Sequence, residues 1–122
     1  MRTLALMAVL ALAVSIAGCS HDGPQMLAEA TTRAAYANDL NGTVAHFDPA
    51  LKAQVTRATV GELSDALNAL GTLHGFTAVG STPAQGRYDY QASFERGRML
   101  VQLRLDPDQQ IAAYRVTPLA PQ

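Results

Sequence analysis

Few residues in this sequence have types and spacings that suit chemistry. Cys19 is the only cysteine in 122 residues, so no disulfide can form within the chain. The histidines are His21, His46 and His74, with no paired spacing. A metal site draws on clustered His, Cys or carboxylate ligands, and none is expected here. None of Ser15, Ser20, Ser64, Ser81 and Ser93 stands in a Gly-x-Ser-x-Gly elbow. Two carboxylate pairs stand out, Glu62 with Asp65 and Asp106 with Asp108. Glu62 reads as a capping residue and Asp65 as solvent-facing. Asp106-Pro107-Asp108 reads as a turn, without the spacing of a calcium loop. That leaves His46 and Asp48 as weak candidates for acid–base work, with a helix-terminal or packing role as the plainer reading of His46. His74, before Gly75, reads as a turn residue.

Cys19 has a more specific context. Met1-Arg2-Thr3 is a short basic start, and Leu4 to Ala17 carries no charge. A largely apolar run of fourteen residues is too short to span a bilayer core, which takes about 20 in a helix. A basic end, a short apolar run and small residues together make a signal peptide over residues 1–18. The run ends Ser15-Ile16-Ala17-Gly18-Cys19, the pattern of a bacterial lipobox. The expected chemistry is transfer of a diacylglyceryl group to the Cys19 sulfur, with cleavage between Gly18 and Cys19. One myristoyl chain alone binds a bilayer only marginally, so the two or three chains of a mature lipoprotein should hold it stably. The protein is therefore expected to be exported and lipid-anchored on the outer face of the cell membrane. In a two-membrane cell, Ser20 rather than aspartate after Cys19 favours the periplasmic face of the outer membrane. No cofactor is expected beyond the covalent lipid.

Residues 19–23 then form a short tether, and its spacer Ser20 to Gly23, containing His21, is at most roughly 15 Å long if extended. Residues 24–118 form one domain, and 119–122 a tail. Without residues 1–18 the chain has eight Lys plus Arg against ten Asp plus Glu, which excludes a nucleic-acid footprint. Arg87, Arg96, Arg98, Arg104 and Arg115 crowd the last third, interleaved with Asp89, Glu95, Asp106 and Asp108. The alternation of signs reads as a solvated sheet face in preference to the alternative, an anion site.

The elements that would position these residues change period halfway along. Asp22 as a cap and Pro24 in the first turn predict a helix with Leu27, Ala30, Ala34 and Ala37 on one stripe, broken at Asn41-Gly42. Thr43 to Phe47 reads as a short second turn. Asp48-Pro49 starts a third segment to about Val55. Thr59-Val60-Gly61-Glu62 fits a capping box, followed by Val60, Leu63, Leu67 and Leu70, with Gly71 as the stop. Apolar residues then alternate with polar ones through Tyr88–Phe94 and Met99–Leu105, the period of half-buried strands. Phe76–Ser81 and Ile111–Thr117 complete four strands, with turns at Pro83–Gly86, Glu95–Gly97 and Asp106–Asp108. The expected fold class is α+β, with N-terminal helices on one face of a four-stranded antiparallel meander.

From about Met26 to Pro118 the order of landmarks resembles the bacterial domain of unknown function 3887 family. The residues that carry the resemblance are Asn38-Asp39-Leu40-Asn41-Gly42, Phe47-Asp48-Pro49-Ala50-Leu51-Lys52, Leu70 to Phe76, and Phe94-Glu95-Arg96-Gly97. Members often carry a tryptophan in the third helix; this chain has none and Leu67 takes that place. The resemblance implies a small cone fold of the nuclear transport factor two or cystatin-like type, with a mouth at one end of a curved sheet. Tyr88, Tyr90, Phe94 and Met99 then become candidate pocket residues on inward strand faces, or simply core. Three functions follow: a non-catalytic envelope module binding a partner protein, a pocket for a small apolar or lipid ligand, or a cone-fold enzyme using His46 with Asp48 or Asp89. Dimerisation through the open sheet face would involve Leu100 and Ile111.

Overall fold

The computed structural model describes residues 19–120; the expected signal peptide over residues 1–18 and the last two residues of the expected tail lie outside them. Four helices come first: α1 (Cys19–Tyr36), α2 (Leu40–Val44), α3 (Pro49–Lys52) and α4 (Arg57–Asn68). Four strands follow: β1 (Leu73–Thr82), β2 (Arg87–Phe94), β3 (Gly97–Leu105) and β4 (Ile111–Leu119). They form one antiparallel sheet in the order β1-β2-β3-β4, the meander expected, with the helices packed on one of its faces. None of the helices among the described residues is long and apolar enough to cross a membrane.

Register explains the core. Tyr88, Tyr90 and Ala92 of β2 face Leu103, Val101 and Met99 of β3. Val101 and Leu103 in turn face Val116 and Tyr114 of β4. Paired residues share a sheet face, so these rows form one apolar surface under the helices. Leu67 of α4 and Ala28 and Ala35 of α1 are fully buried against it.

Several elements depart from expectation. Helix α1 already includes Cys19 to Gly23, so the spacer is helical rather than extended. Its buried residues are Ala28, Thr31, Thr32 and Ala35, not the stripe through Ala30, Ala34 and Ala37. Threonine hydroxyls make that face workable: Thr32 Oγ1 donates to the Ala28 carbonyl at 2.8 Å and shares a 2.7 Å hydrogen bond with the Tyr114 hydroxyl. The helix stops at Tyr36, and Asn38 just beyond it is left-handed at φ 58°, a common helix ending. Asn41-Gly42 therefore lies inside α2, capped by Asp39, which accepts from the Gly42 N–H at 3.0 Å. The cap of α4 is Thr56, not Thr59. Thr56 Oγ1 accepts from the Thr59 N–H, and Thr59 Oγ1 accepts from the Thr56 N–H, so a hydroxyl fills the role expected of Glu62.

Strand boundaries shift too. Gly71 (φ 86°) ends the helical half as expected, but β1 begins at Leu73, which puts His74 in a strand rather than a turn. At the other end, β4 continues through Leu119, which pairs with Arg98. Ile111 is not on the outer face: it is fully buried. A register shift between Arg104 and Leu105 turns it inward, since one extra residue reverses the face of a strand. It is held there by His46, whose carbonyl accepts from the Ile111 N–H at 2.8 Å, and by Asp48, whose N–H donates to the Ile111 carbonyl at 2.8 Å.

Candidate functional site

A hollow opens where α1 begins and where β2 starts and β3 ends. It holds about 640 Å³. One wall is the first turns of α1, with Pro24, Leu27 and Ala30. The other comprises Tyr88 and Leu105 of the sheet, with His46 and Gln109 closing the side. Met26, on the rim, is 67% exposed. A smaller hollow of about 340 Å³ between the β1–β2 and β3–β4 turns shares Tyr88, Leu105 and Gln109. Tyr88 is thus common to both.

Local structure fixes each wall. Gly86 precedes Tyr88 at φ 71°, and a Cβ there would strike the Leu105 carbonyl. Its N–H caps the Pro83–Gln85 turn, and its carbonyl accepts from the Leu105 N–H at 2.9 Å. Gln109 is left-handed (φ 64°) in the β3–β4 turn. The Asp106 carboxylate organises that turn by accepting from the Asp108 and Gln110 N–H groups, both at 2.9 Å. Asp106 therefore does the turn work expected of it. His46 is placed by the parallel bridge between Phe47 and Ile111, and its side chain is exposed.

The candidate residues divide between groove and core. Tyr88 and His46 meet at the groove. Tyr90, Phe94 and Met99 lie in the core. Tyr90 stacks on Phe76 with ring centres 5.3 Å apart, and Phe94 on Tyr36 at 6.3 Å. Burial pushes the Tyr90 phenol up to about 12, with the charges of Tyr88 and Asp89 acting in the same direction. Asp48 is occupied as the cap of α3, accepting from the Leu51 N–H at 2.8 Å. Asp89 pairs in register with Gln102 on the opposite sheet face, away from His46. Among the described residues no three His, Cys, Asp or Glu side chains cluster as metal ligands would.

Sequence reasoning did not find the α1 wall, Leu105 or Gln109. It also missed Thr31, Thr32 and Tyr114, which place polar groups at the helix–sheet interface. Burial and the opposing Thr32 hydrogen bond act on Tyr114, and burial dominates, so its phenol titrates above the usual range. Thr31 Oγ1 is a buried oxygen without a hydrogen-bond partner among the described residues.

No family model matches this chain, and no curated protein matches it. Among solved structures it is similar to the crystal structure of a SnoaL-like protein of unknown function from Burkholderia thailandensis. That likeness has a TM-score of 0.49 and 13% sequence identity, covering 80% of this chain and 96% of the other.

Proposed function

We propose that this protein is a membrane-anchored, non-catalytic envelope lipoprotein whose domain binds a small apolar ligand in the groove beneath the start of α1. The observation that carries the reading is the groove itself: about 640 Å³, walled by Pro24, Leu27, Ala30 and Leu105, with Tyr88 and His46 as polar groups. Ligand sites are typically concave, mostly apolar and of a few hundred cubic ångströms, with a few polar groups that orient the ligand. A phenol is suited to that task, having an apolar body and a polar tip. The anchor rests on Ser15 to Cys19, and the assignment to the domain of unknown function 3887 family on the landmarks between Asn38 and Gly97. Binding is favoured over catalysis because Asp48 caps α3 and Asp89 lies on the opposite sheet face from His46.

A partner-protein reading has its own support. Strand β1 is an open edge, exposed from Thr77 to Thr82, with Val79 55% exposed. Such an edge can receive a strand from another protein or a second copy of this chain. Leu100 on the outer sheet face is half-buried.

Native mass spectrometry of the lipid-processed protein, purified gently from cells, separates the two. A reproducible non-covalent mass, lost in Ala30→Trp, is the expected result, because Ala30 is exposed and lines the groove without entering the core. A bare protein that also fails to bind 1-anilinonaphthalene-8-sulfonate, or binds it equally after Ala30→Trp, would overturn the groove reading.

A further inference from the structure

The outer face of the sheet, turned away from the helices, carries a charge pattern that the linear sequence conceals. Register sets Arg87 of β2 opposite Arg104 of β3. Arg104 faces Ala113 of β4, which puts Arg115 diagonally across from it, opposite Gln102. Directly opposed residues in a sheet lie about 5 Å apart and diagonal ones about 7–8 Å. Arg87, Arg104 and Arg115 line one shallow cleft of about 290 Å³, and all three are exposed.

The acids that alternate with them in sequence do not accompany them in space. Only Asp89 shares the face. Glu95 sits beyond the far end of β2, accepting from the Thr72 N–H at 3.1 Å, and Asp106 is folded into its own turn. With Arg98, the face has four arginines against one aspartate. Among the described residues, Arg87, Arg104 and Arg115 make no salt bridge and no side-chain hydrogen bond. Like charges set directly opposite each other destabilise a strand pair, so the opposed Arg87 and Arg104, with Asp89 as the one acid on their face, favour a further anion between them.

We infer that the arginine face rests against an anionic bilayer, with its guanidinium groups on the phosphates of acidic lipid headgroups. A guanidinium fork meets phosphate oxygens two at a time, and each basic residue near an acidic bilayer adds to its attraction. Position supports the same occupant. Arg87 opens β2 and Arg104 nearly closes β3, so the cleft lies at the end of the sheet where α1 begins. Cys19 is five residues before Pro24 in that helix, about 7 Å further along its axis. A lipid on Cys19 would hold this end of the molecule at the membrane; in that respect the inference rests on the anchored reading above.

The test uses the full chain, processed by a bacterial host and reconstituted into phosphatidylcholine vesicles with or without phosphatidylglycerol. A fluorophore on Thr117→Cys, on the same face but outside the cleft, is quenched by lipids bearing headgroup nitroxides. Quenching should be several-fold stronger with phosphatidylglycerol. It should fall to the phosphatidylcholine level in high salt and in the Arg87→Gln/Arg104→Gln/Arg115→Gln protein. Equal quenching in both vesicles, or no effect of the triple substitution, would overturn the inference. So would loss of the effect in millimolar inorganic phosphate at constant ionic strength, which would assign the cleft to a soluble anion. The mass of the processed protein reports the anchor separately. A lipidated chain without lipid-selective quenching fails only the arginine face; an unlipidated chain fails the anchored reading, and its co-sedimentation with phosphatidylglycerol vesicles still decides the face.

Discussion

Thr31 and Thr32 are neighbours on the buried side of α1, both without solvent exposure, yet their hydroxyls are in opposite situations. Thr32 Oγ1 is doubly engaged, with the Ala28 carbonyl and the Tyr114 hydroxyl. Thr31 Oγ1 has no partner among the described residues. A buried polar atom left unpaired costs about 1–3 kcal/mol, and removing it with a side chain of the same shape recovers much of that. Valine is the isostere at both positions. Thr31→Val should therefore raise stability by about 1 kcal/mol. Thr32→Val should lower it by about 1–3 kcal/mol, because it strands the Tyr114 hydroxyl. Urea unfolding followed by circular dichroism checks both, and a Thr31→Val protein weaker than the parent would refute the account of that site. Neither residue was visible as core in the sequence, since threonine gives no hydrophobic signal and its partner is 82 positions away.

Elements were legible to the extent that their signals are local. Alternation along β2 and β3 gave strands and inward faces, because successive side chains of a strand point to opposite sides. Asp48-Pro49 marked the start of α3 for the same reason, a cap being made within three residues. The face of α1 was misplaced by one position, about 100° of helix, because alanine is small enough for either side and threonine concealed the true stripe. The phase of β4 was lost to the irregularity at Leu105, which no single-strand pattern reveals. The α4 cap shows the limit well. Thr56 and Thr59 are three apart, as are Thr59 and Glu62, and the sequence favours the pair containing glutamate. The structure uses the pair of hydroxyls. Thr56→Ala should thus cost about 1 kcal/mol, a typical cap loss, while Glu62→Ala, on an exposed residue, should change the unfolding midpoint little. Equal losses in the two variants would restore the glutamate box.

At the scale of the whole molecule, one helix layer and one sheet share a core whose buried phenols report on their separation. Tyr90 lies centrally in β2 against Phe76, and Tyr114 reaches from β4 to Thr32 of α1. Both are pushed above the ordinary phenol value by burial. For Tyr90 the folded value is about 12 against 10.0 for an unperturbed tyrosine. The folded state therefore prefers the neutral phenol more strongly than the unfolded state does. That preference costs nothing below pH 10, where both states keep the proton. Between about 10 and 12 the unfolded chain releases a proton that the folded chain retains, so stability falls as pH rises through this window. Tyr114 adds to the loss with the same sign. The urea midpoint should be flat toward pH 10 from the neutral side and then drop steeply, and the drop should be shallower in Tyr90→Phe, which cannot ionise. Because the phenols sit between the layers, the alkaline transition should take helix and sheet signals together, seen as coincident far-ultraviolet and tyrosine absorbance changes. Tyrosine ionisation that runs ahead of unfolding, with the midpoint unmoved, would mean that the phenols have water access and that the two layers open without parting.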